Sequence, residues 1–256
     1  MRKKIFTLLT VIGLLLCLIS CELNIVFGEL PSVTEPPVTT LAPSVTEPPK
    51  NPKNDIVVML DAGHGDIDPG TLGYYGDATY FEKNINLSVC LFLRDELTAR
   101  GYTVELIRES DTSLLHGRDN IAEAVARRRL GIEVGADLYL SVHCNSFAGS
   151  ARAYGPIVFY RGVGDYSPEK MANEIKDTVT DAMKSFPDTR ECRAKRDDDY
   201  AVLKEDTMPS FIIEMGFMTD ESDLRMLIDE EWQKAMARAL ADSVDSLYEK
   251  KYIESE

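Results

Sequence analysis

Four side chains in this chain could together hold a metal ion and move a proton beside it: His64, Glu82, His143 and Glu214. The chain has three histidines, and two of them, His64 and His143, follow short apolar runs. His64 stands between Gly63 and Gly65 just after Ile56–Leu60, where bare backbone presents an imidazole easily. His143 closes the run DLYLSV. Glu82 opens a helical pattern, and Glu214 sits inside FIIEMGF, an apolar segment in which an unpaired carboxylate is costly. Two imidazoles and one carboxylate, with a fourth position left to water, make a catalytic zinc site. Zinc suits nitrogen and oxygen donors, brings the pKa of its water to about 7 and polarises a carbonyl. A second carboxylate beside that water can take its proton and pass it to a leaving amine. This division casts His64, Glu82 and His143 as ligands and Glu214 as base and acid. Each residue also has a plainer reading. A first-turn Glu82 suits the helix dipole alone. His64 and His143 could be incidental turn and strand-end residues, and Glu214 could be paired with Arg118. His116, in a polar helix start, reads as a surface residue.

Such a site needs elements that bring distant residues together. The first is the strand Ile56–Leu60, followed by a glycine-rich loop and a Gly/Tyr-rich loop. A helix is expected over Glu82–Arg100, with Ile85, Val89, Leu93 and Leu97 every fourth residue and Gly101 as its stop. Thr103–Ile107 is a strand, and Leu114–Leu130 a helix with Ile121, Ala122, Val125 and Ala126 turned inward. Asp137–Val142 and Pro156–Tyr160 are strands, and Pro168–Phe186 a helix with proline near its start. Residues 187–200 read as a polar, charged loop, Ala201–Leu203 as a short strand, Phe211–Met215 as an apolar strand, and Glu230–Lys250 as a helix. Strands alternating with helices give an α/β, doubly wound, mostly parallel sheet. Ligands gather outside the carboxyl ends of such strands, where His64 and His143 fall. No long insertion stands between residues 147 and 210, so the site is expected to be open unless the 187–200 loop covers it.

The chain has 256 residues and a formal net charge of −15. Residues 1–54 hold five of the 28 basic and four of the 43 acidic residues. The remainder therefore carries 23 basic against 39 acidic, or −16. A domain this acidic lacks the basic patch that nucleic acid requires and is repelled by anionic polymers. Met1-Arg-Lys-Lys followed by the apolar run Ile5–Ile19 has the form of an export signal and is too short for a comfortable membrane span. It ends in Leu18-Ile19-Ser20-Cys21, which resembles a bacterial lipobox, so Cys21 is expected to receive lipid. Residues 22–54 contain PSVTEPP twice, at Pro31–Pro37 and Pro43–Pro49, and read as an extended Pro/Thr-rich linker. The expected organisation is a signal segment over 1–21, a linker over 22–54 and one folded domain over 55–251. The domain would work outside the cytoplasm, anchored to the outer face of the cytoplasmic membrane or, as a second choice, secreted to the wall. Beyond Cys21, the cysteines Cys90, Cys144 and Cys192 are odd in number, which argues against a full disulfide framework and leaves one pair open.

The segments DAGHGDIDPG, FEKNINLSVCLFLRDEL, Arg118 with Asp119-Asn120, LSVHCNS and PSFIIEMGFMTDESD resemble the zinc-dependent N-acetylmuramoyl-L-alanine amidases of the AmiC/CwlV type. The resemblance runs from about Ile56 to Tyr248. It implies a single α/β domain with a central, mostly parallel twisted sheet of about six strands flanked by helices, in a phosphorylase/hydrolase-like arrangement. It also implies zinc on His64, Glu82 and His143, with Glu214 of the ExGF motif catalytic. The implied reaction hydrolyses the amide between the lactyl group of N-acetylmuramic acid and L-alanine in peptidoglycan. Asn145 and Arg118 are expected to contact substrate or support the ligands, and the protein is expected to act as a monomer. Cys144 departs from the small residue usual in the family and is expected to point into the core, because side chains alternate along a strand. The rival readings are a zinc peptidase acting within the stem peptide and a wall-binding lipoprotein without activity.

Overall fold

The computed structural model of the chain describes residues 51–116, 119–149, 153–164, 166–186, 188–204 and 207–254. The expected signal segment, Cys21, nearly all of the linker and Arg118 lie outside the described residues. A 3-10 turn, Pro52–Asp55, leads into β1 (Val57–Ala62), the hairpin β2 (Leu72–Tyr75) and β3 (Ala78–Phe81), and α1 (Glu82–Ala99). Then come β4 (Thr103–Leu106), α2 (Asn120–Glu133), β5 (Leu138–Asn145), β6 (Ile157–Tyr160) and α3 (Pro168–Ala182). The chain ends with β7 (Arg193–Arg196), β8 (Ser210–Phe217), α4 (Glu221–Leu227) and α5 (Glu230–Glu249).

Six strands form one sheet in the order β4-β1-β5-β8-β6-β7. The first four run parallel; β6 lies antiparallel to β8, and β7 parallel to β6. β1, β5 and β8 are nearly continuous apolar runs because both faces of the sheet are covered. On one face α1, α3 and α5 pack their apolar stripes, with Ile85, Val89, Leu93 and Leu97 of α1 all inside. On the other lie α2 and a 3-10 turn, Ala201–Leu203, over Met59, Tyr139, Phe159 and Ile212. The expected α/β sheet of six mostly parallel strands is the observed one. No helix of the described residues is long and apolar enough to cross a membrane.

Four local expectations are corrected and one helix is added. The Gly/Tyr-rich stretch is the β2–β3 hairpin, turning through Gly76 at φ 59°. The polar 187–200 stretch contains edge strand β7, and Ala201–Leu203 is a 3-10 turn. Glu221–Leu227 forms an additional helix, α4, capped by the Asp220 carboxylate. Finally, α2 starts at Asn120 behind an Asp119 cap, and its inward face is ionic. Ile121 is 72% exposed, whereas Glu123 and Arg127 are buried. The small alanines of this helix specify a face weakly, and a buried ion-pair network sets its rotation instead.

Candidate metal centre

Three adjacent strands deliver the histidines and Glu214. β1 ends at Ala62, and the chain turns through Gly63, His64 and Gly65. β5 carries His143 near its end, and β8 sets Glu214 beside it in register, His143 opposite Glu214. Glu82 comes from the first turn of α1, beneath the hairpin. The His64 and His143 rings meet edge to face, with centroids 4.9 Å apart. His64 Nε2 lies 3.1 Å and His143 Nδ1 3.0 Å from the same Glu82 oxygen, Oε1. His64, Glu82 and His143 each offer one ligand atom, and these atoms all lie within 4.8 Å of one another. The structure therefore gathers residues that are 18 and 61 positions apart in the chain.

Two of the three donors, His64 and Glu82, are oriented from behind. The Asp68 carboxylate lies 2.8 Å from His64 Nδ1, which turns Nε2 toward the cluster. Glu82 Oε2 accepts the Thr71 N–H at 2.8 Å, and Oε1 accepts the Cys144 N–H at 3.0 Å. Asn86 Nδ2 donates to Glu82 Oε1 and to the Gly63 carbonyl, both at 3.3 Å. Two glycines permit the close approach. A Cβ on Gly63 would sit 2.2 Å from the His143 ring, and one on Gly70 2.7 Å from Glu82 Oε2. His64 itself has φ 64°, a left-handed conformation that is uncommon outside glycine.

Two buried arginines hold that turn. Arg127 donates through Nη2 to the His64 carbonyl at 2.8 Å and through Nη1 to the Ala62 carbonyl at 2.9 Å. It also donates through Nη1 to Asp61 Oδ1 at 2.7 Å and through Nε to Glu123 Oε1 at 3.0 Å. Arg108 donates to the carbonyls of Ala62, Gly63 and Lys83 at 2.7–3.0 Å. Asp61 is further held by the Tyr139 and Ser141 hydroxyls, each at 2.8 Å. Burial alone would raise the Asp61 carboxyl; the positive charge of Arg127 overcomes it and keeps the pKa below the ordinary value.

The electrostatics are those of a donor cluster. Burial works against the Glu82 carboxylate, but hydrogen bonds from His143 and His64 keep it far below the usual carboxylate range. Burial pulls His64 down, but Glu82 first and then Asp68 raise its pKa to about 9. Glu214 differs. It is 8% exposed, and its buried Oε2 has no hydrogen-bond partner among the described residues. Burial pushes its pKa to about 7, opposed by His143 and aided by the charge of Glu82.

Two cavities meet at this point and share His64, Asp68, Asn120, His143 and Glu214. One, of about 270 Å³, is an apolar arm between α2 and the Ala201–Leu203 turn, lined by Ile121, Tyr200, Val202 and Ile212. The other, of about 370 Å³, is a polar arm that includes Gly70, Thr71, Asn145 and Ser146. Asn145 thus lies in the cleft wall, where its side chain accepts the Ser146 N–H at 2.8 Å. Tyr200 and its neighbours form one wall of the apolar arm. Cys144 is buried in the core, and Cys90, Cys144 and Cys192 are all free thiols. His116 is on the surface, 3.0 Å from Asp66.

A metal ion fits this arrangement on the chemistry of its donors: two imidazoles and a carboxylate converge, with the outer atoms of His64 and Glu82 tied down by Asp68 and the Thr71 N–H. Sequence reasoning missed Asp68, Asp61, Arg108 and Arg127. Asp68 had a signal in its position four residues after His64, and Asp61 in being a lone acid ending an apolar run.

A family profile described as N-acetylmuramoyl-L-alanine amidase matches residues 58–246. The uncharacterized protein YqiI of Bacillus subtilis is 33% identical over 195 residues, 75% of this chain and 84% of that protein. The germination-specific N-acetylmuramoyl-L-alanine amidase of the same organism is 30% identical over 196 residues, 74% of this chain and 78% of that enzyme. Among solved structures, the CwlD amidase from Clostridioides difficile, in complex with the GerS lipoprotein, superposes with a TM-score of 0.65 at 30% identity. That match covers 76% of this chain and 99% of CwlD. The catalytic domain of CwlV from Bacillus (Paenibacillus) polymyxa gives a TM-score of 0.63 at 26% identity, covering 76% and 98%. With a six-stranded sheet that carries a His-Glu-His cluster at its carboxyl edge, the chain belongs to the N-acetylmuramoyl-L-alanine amidase family.

Proposed function

We propose that this protein hydrolyses the amide between the lactyl group of N-acetylmuramic acid and L-alanine in peptidoglycan, with zinc on His64, Glu82 and His143 and with Glu214 as the proton carrier. The observation that carries the reading is the convergence of those three donors beside a buried, unpartnered carboxylate in one cleft. Zinc, when bound, acidifies water and polarises the scissile carbonyl. Every other part of the reaction falls to the chain. Glu214, whose burial raises its carboxyl pKa in the metal-free site, accepts a proton from the attacking water and returns it to the alanine nitrogen as the C–N bond breaks. Asp68 and the Thr71 and Cys144 amides hold the ligands in place during this exchange. Asn145, in the cleft wall, and Arg118 are assigned to substrate contact.

The same proposal includes the domain plan: export by residues 1–21, lipid on Cys21, a spacer over 22–54 and a catalytic domain over 55–251. At about 3 Å per residue, the ~26 residues after Gly28 would reach some 70–80 Å from the membrane into the wall. The protein then works as a monomer on the outer face of the cytoplasmic membrane.

Digestion of purified muropeptides tests the chemistry. Free stem peptides with an L-alanine amino terminus should appear, vanish with chelator, return with zinc, and be absent for Glu214→Gln. Products cut within the peptide refute the assignment in favour of a peptidase. Metal analysis of the purified protein tests zinc, and labelling with radioactive palmitate, lost in Cys21→Ser, tests the anchor.

A further inference from the structure

The β2–β3 hairpin presents an aromatic face that the fold does not use. The inner face of the hairpin is packed at its base, where Gly73 is buried so close beneath Leu224 that a Cβ there would lie 2.6 Å from its side chain and Tyr80 rests against the core, while Tyr75 nearer the turn is 39% exposed. The outer face carries Leu72 opposite Phe81 and Tyr74 opposite Thr79. Leu72 is 37%, Phe81 37% and Tyr74 69% exposed. The base of this hairpin is tied to the metal centre. Both ends of the hairpin are joined to Glu82, since the Thr71 N–H binds Glu82 Oε2 at 2.8 Å and the Glu82 N–H binds the Thr71 carbonyl at 3.0 Å. Phe81 directly precedes Glu82, and Leu72 directly follows Thr71. Thr71 and Gly70 also line the polar arm of the cleft.

We propose that this outer face binds the glycan strand of the substrate, with sugar rings stacked on Tyr74 and Phe81. The proposal rests on the amidase reading and deepens it. The scissile amide is one lactyl group away from a sugar ring, and a polymeric glycan continues on both sides of that ring. Once the amide sits at the metal centre, neighbouring sugars must cross surface that borders the cleft. An exposed apolar face beside a functional site marks a contact surface. The uncharged C–H faces of sugar rings match flat, exposed aromatic faces, and tyrosine offers such a face with little conformational freedom to lose. Charge argues for an uncharged contact: a domain of net charge −16 is repelled overall by anionic wall polymers.

The test compares the wild-type protein with Tyr74→Ser/Phe81→Ser and with Tyr74→Ser alone, all zinc-loaded, on two substrates: intact sacculi and a single disaccharide–peptide. The expected result is that the ratio of kcat/KM on sacculi to that on the disaccharide–peptide falls about tenfold in the double variant, through KM, and by a smaller factor in Tyr74→Ser. In co-sedimentation, peptide-free glycan strands should bind the wild type and be released by the double variant. An unchanged ratio, a loss equal on both substrates, or glycan strands that the wild type does not retain each overturn the proposal. A wild-type protein that cuts neither substrate defeats the amidase reading instead. Glycan binding that is lost in the variant would still support this surface.

Discussion

Replacing Arg127 with methionine should damage both the fold and the metal centre, because one guanidinium serves both. The side chain is 4% exposed and spans two carboxylates and two carbonyls, those of Asp61, Glu123, Ala62 and His64. Methionine fills most of its volume, so the loss is electrostatic. Asp61 keeps its bonds to Tyr139 and Ser141 but stands 2% exposed without its counter-charge. Breaking a buried pair from one side costs about 3–5 kcal/mol. For a domain of some 200 residues, that is a fall in Tm of about 6–20 °C. The pH dependence has a definite sign. The Asp61 pKa is depressed in the folded wild type, so its contribution is present above the unfolded value of about 4 and is lost as pH falls through the folded value. The gap between wild type and Arg127→Met should therefore be widest near neutrality and shrink in acid. Adding Asp61→Asn should recover part of the loss, since Glu123, which still accepts the Leu114 and Leu115 N–H groups, is then the one carboxylate left without Arg127. Freeing the His64 carbonyl should also lower zinc affinity about 10–100-fold, the usual effect of losing an outer support. Thermal melts across pH, with and without zinc, and competition against a chromophoric chelator read both effects. A Tm within a degree or two of wild type, or unchanged zinc affinity in a folded variant, refutes the argument that Arg127 holds this turn.

Three more outcomes follow from the site. The raised Glu214 pKa means that its charged form opposes folding, an effect absent near pH 4 that grows until pH passes about 7. Metal-free Glu214→Gln should therefore be more stable than metal-free wild type by about 3 kcal/mol at pH 8, with the difference vanishing near pH 4, as read from urea unfolding. His64 holds a proton up to about pH 9 in the metal-free protein, so apparent zinc affinity should rise about tenfold per pH unit from 7 to 9 and then level off. A flat profile in competition titrations would sink that account. Gly63→Ala places a methyl group against the His143 ring and should cost about 1–3 kcal/mol while weakening zinc binding, measured by melts and titration on the same sample.

The sheet and the four-residue site were legible for one reason: β1, β5 and β8 are buried on both faces, so their apolar runs are unbroken and polar residues at their ends stand out. Glu214 is the sharpest case, a carboxylate among Phe211, Ile212 and Ile213 with no local reason to be there. The hairpin was not legible, because its exposed face breaks the alternation of apolar and polar residues that marks a half-buried strand. α2 misled for the opposite reason. Its isoleucines Ile121 and Ile132 face out while Glu123 and Arg127 are buried on the inward side, so periodicity in hydrophobicity pointed to the wrong side. The arginine clamp on residues 62–64 joins Asp61, Arg108 and Arg127, which are up to 66 positions apart. No local pattern announces such a partnership; only the register of the folded sheet does.

Strand β7 has a bearing on how crowded copies behave. It closes one margin of the sheet with Arg-Ala-Lys-Arg, while β4 closes the other with Thr-Val-Glu-Leu. Unpaired strand margins invite foreign chains to add on, and charged side chains along them discourage it. Copies held side by side at one surface would meet far more often than in dilute solution. Margins of this kind would let them stand close without knitting their sheets into aggregates.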